Sequence, residues 1–166
     1  MADDFLASAG DRFSWSGIYF ANPADAGLMA SEIPITTPAG PSPAWLVEGS
    51  ESCSTWAIHV HGLGSSWHGA LRGVQVTAEM GYTSLIISYR NDGEGPRLGN
   101  ERSTLGFTEA EDAEAAVDYA VQNGAQRIVL FGWSMGAAIA LQVASRTLER
   151  GVIVGLVLES PVPPWA

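Results

Sequence analysis

The five residues Gly132-Trp133-Ser134-Met135-Gly136 restrict what this chain can fold into more than any other stretch. They follow an apolar run over 127–131 and precede a helix-period pattern over 135–148. A chain that passes from strand to helix in so few residues must reverse sharply. Side chains two positions either side of the central residue would then collide, so both positions call for glycine. The turn lifts the Ser134 hydroxyl above the carboxyl end of the sheet. It also sets the Met135 N–H at a helix N-terminus, where a developing oxyanion is stabilised. Residues 128–144 are apolar over most of their length, but Gly132, Ser134, Gly136 and Gln142 interrupt them. The stretch is too short and too broken to span a membrane, and strand–turn–helix is the better reading.

The rest of the chain agrees with that start. Short strands are expected over 31–37 and 44–48, split by a Pro/Gly turn over 38–43, with one more possible over 18–20. Strand and helix then alternate: strands over 55–61, 83–89, 127–131 and 152–158, helices over 69–80, 108–123 and 135–148. Thr108 and Glu111 have the spacing of a capping box. Ala113, Ala116, Val117, Ala120 and Val121 form an apolar stripe, and Gly124 follows as a C-terminal stop. The later strands are apolar nearly throughout, as in a parallel sheet covered on both faces. Residues 91–107 read as a polar loop whose Arg90, Asp92, Glu94, Arg97 and Arg102 can shape a pocket or simply face solvent. The 166 residues suit one domain, with 1–30 as an N-terminal extension.

A second segment carries chemistry. His59-Val60-His61-Gly62-Leu63-Gly64 follows the first expected parallel strand. A His-Gly-x turn there offers the Leu63 N–H as a second oxyanion donor. The segment is not a dinucleotide fingerprint, because Trp67 stands where a third glycine is needed. His59 and His61 alternate onto one strand face and could hold a metal, but no third ligand is evident; no metal and no cofactor is expected. Trp67 and Trp133 flank the two turns and, with Gly62, are candidates for the substrate pocket; core burial is the alternative for both tryptophans. The net charge of −10 argues against nucleic acid and anionic membranes as partners. Cys53 is the only cysteine, so no internal disulfide framework exists. The first ten residues lack a signal-peptide pattern, and a cytoplasmic location is the default.

Together these motifs resemble the α/β-hydrolase superfamily, from about Ser31 onward. GYTSLIISYRNDGEGP (81–96) and GLVLESPV (155–162) are similar to its bacterial prolyl-oligopeptidase-like and Bem46-like branch. The resemblance implies a three-layer α/β/α sandwich on a mostly parallel sheet of order 1-2-4-3-5-6-7-8. It implies acyl transfer to water through an acyl-serine, on a small ester or peptide. Ser134 is then the nucleophile, and Met135 and Leu63 are the oxyanion donors. In this superfamily the acid and the base histidine follow the serine in the chain. Here His59, His61 and His68 all precede it. Glu159, at the end of the sixth strand, is the candidate acid. The expectation is therefore a domain of about six strands that lacks strands 7 and 8 and whose triad is incomplete, with impaired or absent turnover. A hydrolase-derived module that binds an acyl ligand or a partner is the main alternative, and a cofactor-free perhydrolase or acyltransferase a further one. The apolar 152–158 strand, left as a sheet edge, is expected to drive homo-oligomer formation.

Overall fold

The computed structural model describes residues 19–147, 149 and 151–161. Six strands form one sheet: β1 (Ser31–Thr37), β2 (Gly40–Val47), β3 (Thr55–Val60), β4 (Thr83–Ile87), β5 (Arg127–Trp133) and β6 (Ile153–Glu159). Their order is β1-β2-β4-β3-β5-β6. The β1–β2 and β2–β4 pairings are antiparallel, and the β4–β3, β3–β5 and β5–β6 pairings are parallel. Among the described residues three α-helices cover it: α1 (Leu71–Glu79), α2 (Glu109–Gln122) and α3 (Met135–Arg146).

Why the strands are apolar is plain from the layers. Ile58 and Val60 of β3, Leu85 and Ile87 of β4, and Ile128 and Leu130 of β5 pack beneath α2 and α3. Ile86 faces the opposite layer, with Val74 of α1, Trp67 and Ala70. Burying each such side chain contributes about 1.5–3 kcal/mol, and alternate residues of one strand serve both layers. The α2 stripe is mostly alanine, with Ala113, Ala116 and Ala120 all buried. Such small side chains let the helix lie close to the sheet.

Several boundaries depart from the sequence reading. β2 begins at Gly40, so Pro41 and Pro43 lie inside a strand rather than in a turn. Pro43 stands opposite Pro34, a pair with no N–H on either side, so this rung is a non-hydrogen-bonded one. Pro41, opposite Thr36, falls on a rung of the same parity, so the prolines remove no bond of the β1–β2 ladder, and on the β4 side the Ser42 hydroxyl donates to the Ser88 carbonyl that the Pro43 nitrogen cannot serve. No capping box forms, for Thr108 makes no side-chain cap bond. Glu109 takes that place instead. Its buried carboxylate accepts from the N–H groups of Thr104 and Gly106 and from the hydroxyls of Ser103 and Thr104. Burial opposes its charge, but the bonds from Ser103 and Thr104 outweigh that and hold its carboxyl below the usual value. Glu111 turns away to Arg90. Val121 leaves the apolar stripe and is exposed, whereas Gly124 does end α2, at φ +96°. Tyr19 and Phe20 are not in a strand; Ile18 of that expected strand, Leu148 of the third expected helix and residues 162–166 lie outside the described residues. No helix among the described residues is long and apolar enough to cross a membrane.

Candidate active site

The ends of β3, β5 and β6 meet at the carboxyl edge of the parallel strands. β5 runs into α3 with Ser134 between them at φ 53° and ψ −116°, a conformation a non-glycine side chain enters only under strain. The two flanking glycines are demanded by contact. A Cβ on Gly132 would lie 2.5 Å from the Ala137 Cα and from the Gly136 carbonyl oxygen, and one on Gly136 would strike the carbonyl oxygens of Val60 and His61. That last contact also seats the start of α3 against the end of β3. Gly62 closes the arrangement, for a Cβ there would come within 2.9 Å of the Trp133 carbonyl oxygen and 3.1 Å of the Ser134 Cβ. The serine turn and the His-Gly-Leu turn are thus in backbone contact.

Ser134 is exposed, and it opens into a cavity of about 250 Å³ lined by His61, Gly62, Leu63, Ser65, Gly69, Arg72, Trp133, Glu159 and Ser160. No hydrogen bond to its hydroxyl exists among the described residues, so the oxygen is open to a ligand. Its own N–H donates to the Glu159 carbonyl at 2.9 Å, which ties the turn to the end of β6. The Glu159 carboxylate accepts from Arg72 Nη2 at 2.7 Å and from Trp133 Nε1 at 3.0 Å. Both oxygens are occupied, and the pair forms a charged rim on the cavity. Met135 is buried, at the first position of α3, with its sulfur beside the Ser103 hydroxyl.

The histidines part company. His59 is fully buried and stacked against the rings of Phe131 and Trp133, and Thr77 Oγ1 lies 3.3 Å from its Nε2. Its Nδ1 has no partner. Burial lowers its pKa to about 3, so it is neutral. His61 lies past the end of β3, where the alternation no longer applies, and bonds Asp92 Oδ2 through Nε2 at 2.9 Å. His68 bonds the Ser66 hydroxyl through Nδ1. The competing reading, in which His59 and His61 share a strand face and hold a metal, is not supported by their surroundings. They sit in separate surroundings, and no cluster able to hold a metal exists among the described residues.

Of the other expected pocket residues, Trp133 and Gly62 line the cavity with Ser134, Leu63 and Glu159. Trp67 does not. It is buried and stacked on Trp45 at 4.1 Å. The loop residues Arg90, Asp92, Glu94, Arg97 and Arg102 are absent from the lining as well. Arg90 is locked to Asp112 at 2.8 Å and Asp92 to His61, while Arg97 pairs with Glu101 at the surface. Sequence reasoning missed Arg72. Its position on the first turn of a helix that follows the His-Gly turn was the available signal.

Asp92 is the hub of the polar network behind the cavity. It accepts from the N–H groups of Tyr89, Glu94 and Gly95 and from the Ser88 hydroxyl. Burial works against its charge, but the bonds from His61, Gly95 and Tyr89 outweigh that and hold its carboxyl below the usual value. Burial, with the charges of Asp92 and Glu109, raises the Tyr89 hydroxyl well above its ordinary range, so it keeps its proton.

Comparison with known proteins fits this geometry. An esterase from Pyrococcus furiosus, Pf2001, superimposes with a TM-score of 0.70 at 27% identity, over 84% of this chain and 54% of its own. XC6422 from Xanthomonas campestris, a serine hydrolase without a lid, does so with a TM-score of 0.67 at 21% identity, over 82% and 64% of the two chains. EstE1, a thermostable carboxylesterase cloned from a metagenomic library, gives 0.65 at 19%, over 81% and 47%. The chain thus spans about half the length of the esterases it matches. A search of curated proteins returned no match. The alpha/beta hydrolase family model matches residues 57–166, from β3 through the serine turn and β6. With that match over most of its length, the chain belongs to the alpha/beta hydrolase family.

Proposed function

We propose that this chain carries the nucleophile and the oxyanion donors of a serine hydrolase acting on small esters or peptides. The observation that supports it best is Ser134 itself, strained at positive φ, exposed, and facing a cavity walled by the Leu63 turn. In this reading the Ser134 oxygen attacks the substrate carbonyl carbon while its proton passes to a base, a role no histidine among the described residues fills, and from there to the leaving alcohol or amine. The carbonyl oxygen gains the negative charge and takes hydrogen bonds from the Met135 and Leu63 N–H groups, aided by the positive end of α3. Collapse of that intermediate expels the alcohol or amine, and water then releases the acid from the acyl-serine. The reaction needs no cofactor. Trp133 walls the acyl site, and the Arg72–Glu159 pair stands at its rim. For Glu159 to serve as the triad acid it must orient a histidine, and none among the described residues bonds it. The sequence likeness favours the prolyl-oligopeptidase-like and Bem46-like branch, and a cytoplasmic setting suits the composition.

A fluorophosphonate probe tests the reading. An adduct on Ser134, absent in Ser134→Ala, is the expected result; a folded chain that forms none overturns it. One observation favours the second reading, a non-catalytic acyl-binding module. No histidine among the described residues bonds Ser134, and both ring nitrogens of His61 are engaged. Without a base, turnover of a p-nitrophenyl ester would fall by about 10⁴-fold or more against a complete triad. Binding of the ester without turnover would establish that reading. Self-association belongs to the same proposal: among the described residues β6 has a partner on one side only, and its Val154, Leu156 and Val157 are exposed. Sedimentation as a monomer at high concentration would remove it.

A further inference from the structure

We propose that Asp92, acting through His61 and Tyr89, is a positioning residue that aims the Leu63 N–H at Ser134. The inference rests on the reading of Ser134 as a nucleophile and deepens it.

The argument turns on one peptide unit. The Gly62–Leu63 bond is trans, since the described chain holds no cis peptide. A planar trans peptide points its C=O and the following N–H in opposite directions. Whatever holds the Gly62 oxygen therefore sets the heading of the Leu63 N–H. On its inner side that oxygen has His61 Nδ1 at 3.0 Å, which donates to it when both ring nitrogens carry protons, since the Asp92 carboxylate at Nε2 is an acceptor too, and it accepts from the Tyr89 hydroxyl at 3.3 Å and the Ser65 N–H at 3.2 Å. His61 and Tyr89 are each 2% exposed. Leu63 and Ser134 line one cavity, and on this proposal the Leu63 N–H points towards it. The Leu63 N–H has no partner among the described residues, as a donor kept for a ligand must not.

What holds the holders is Asp92. The His61 ring is gripped at Nε2 by the Asp92 carboxylate at 2.9 Å and lies 4.4 Å from the Tyr89 ring in a stacked pair. Asp92 is in turn fixed by three backbone N–H groups of its own loop and by Ser88. The Tyr89 hydroxyl, which retains its proton, has the His61 carbonyl 3.1 Å away as a further acceptor. A chain of short contacts thus runs from the loop after β4 to the peptide beside Ser134. Neither Asp92 nor Tyr89 lines the cavity, so they act on the peptide and not on a ligand.

Backbone relaxation of the ¹⁵N-labelled chain, read at Leu63 and Met135, tests this in Asp92→Asn and Tyr89→Phe. Asp92→Asn keeps the shape and loses the charge. The expected result is a Leu63 amide as ordered as the strands in the parent, about 0.85 in order parameter, falling below about 0.6 in Asp92→Asn, with Met135 unchanged. Tyr89→Phe, which leaves the carboxylate in place, gives a smaller fall at the same amide. Ser134 labelling by the fluorophosphonate then slows by about 10²-fold in Asp92→Asn, the cost of losing one oxyanion donor. A Leu63 amide equally ordered in parent and variants overturns the proposal, as does equal loosening of Met135. If the parent is not labelled at all, the nucleophile reading fails while the relaxation data still decide the positioning one. Should Asp92→Asn not fold, Tyr89→Phe carries the same comparison.

Discussion

His59 and His61 stand two residues apart, are both buried, and have opposite fates. His59 sits among rings and helix backbone, where Phe131, Trp133 and Gly73 leave its Nδ1 without a partner. His61 is bonded at both nitrogens, to Asp92 on one side and to Gly62 and Tyr89 on the other. One is a shape that happens to be an imidazole; the other is a joint in a hydrogen-bond network. The difference lies in what faces them. Inside the strand a side chain meets a helix, while beyond the strand end it meets the loops in which chemistry is built.

The comparison can be broken at its polar end first. Asp92→Ala strips the acceptor from His61, Ser88 and three backbone donors at once. Leaving such buried groups unpaired is expected to cost about 3 kcal/mol or more, read as a lower urea midpoint. The apolar end is tested by pH. His59 has a folded pKa of about 3 against 6.5 unfolded. Below 6.5 the unfolded chain takes up a proton that the folded one refuses, so stability falls as the pH drops from 6.5 towards 3. At pH 5 the loss relative to pH 7 should be about 2 kcal/mol, and His59→Phe should abolish it. The carboxylate behaves otherwise. Because its folded pKa is below the ordinary 3.8, Asp92 contributes stability that is present above that value and is lost only as the pH falls below it. The two groups thus weaken the fold in different windows, and equal acid profiles for the parent and His59→Phe would collapse the distinction. The smallest effect is at Thr77, whose hydroxyl touches His59, Ser84 and the Val74 carbonyl. Thr77→Val should cost about 1 kcal/mol, measured by thermal melting, without altering the order of the Leu63 amide.

How much of this was legible in the sequence follows the range of the forces. The serine turn was, since the tight reversal and the contact of Gly132 with Ala137 are local, although the Gly136 contact comes from the end of β3. The parallel sheet was too, because burial on both faces writes an apolar run into each strand. The role of Asp92 was not. Its partner His61 lies 31 residues away, and a carboxylate in a polar loop looks the same whether it faces water or a histidine. Trp67 was not legible as a core residue for a similar reason, for its stacking partner Trp45 lies 22 residues away on β2 and nothing local joins the two rings. At the start of α2 the local rule pointed to Glu111, but Arg90 draws that side chain away and the adjacent Glu109 holds the loop.

The strand order has one more consequence, and it is kinetic. β3 ends in the Leu63 turn and β5 in the serine turn, and the two strands are neighbours only because the chain leaves the pair and comes back. Ser54 and Gln126, bonded just ahead of the two strands, are 72 residues apart in the chain. Closing so long a loop costs entropy before any contact repays it. The hairpin and the helices can form from neighbours in sequence, but the two halves of the site have no meaning until that closure is made. A nascent chain that has emerged only as far as α2 holds the Leu63 turn without the serine turn it packs against.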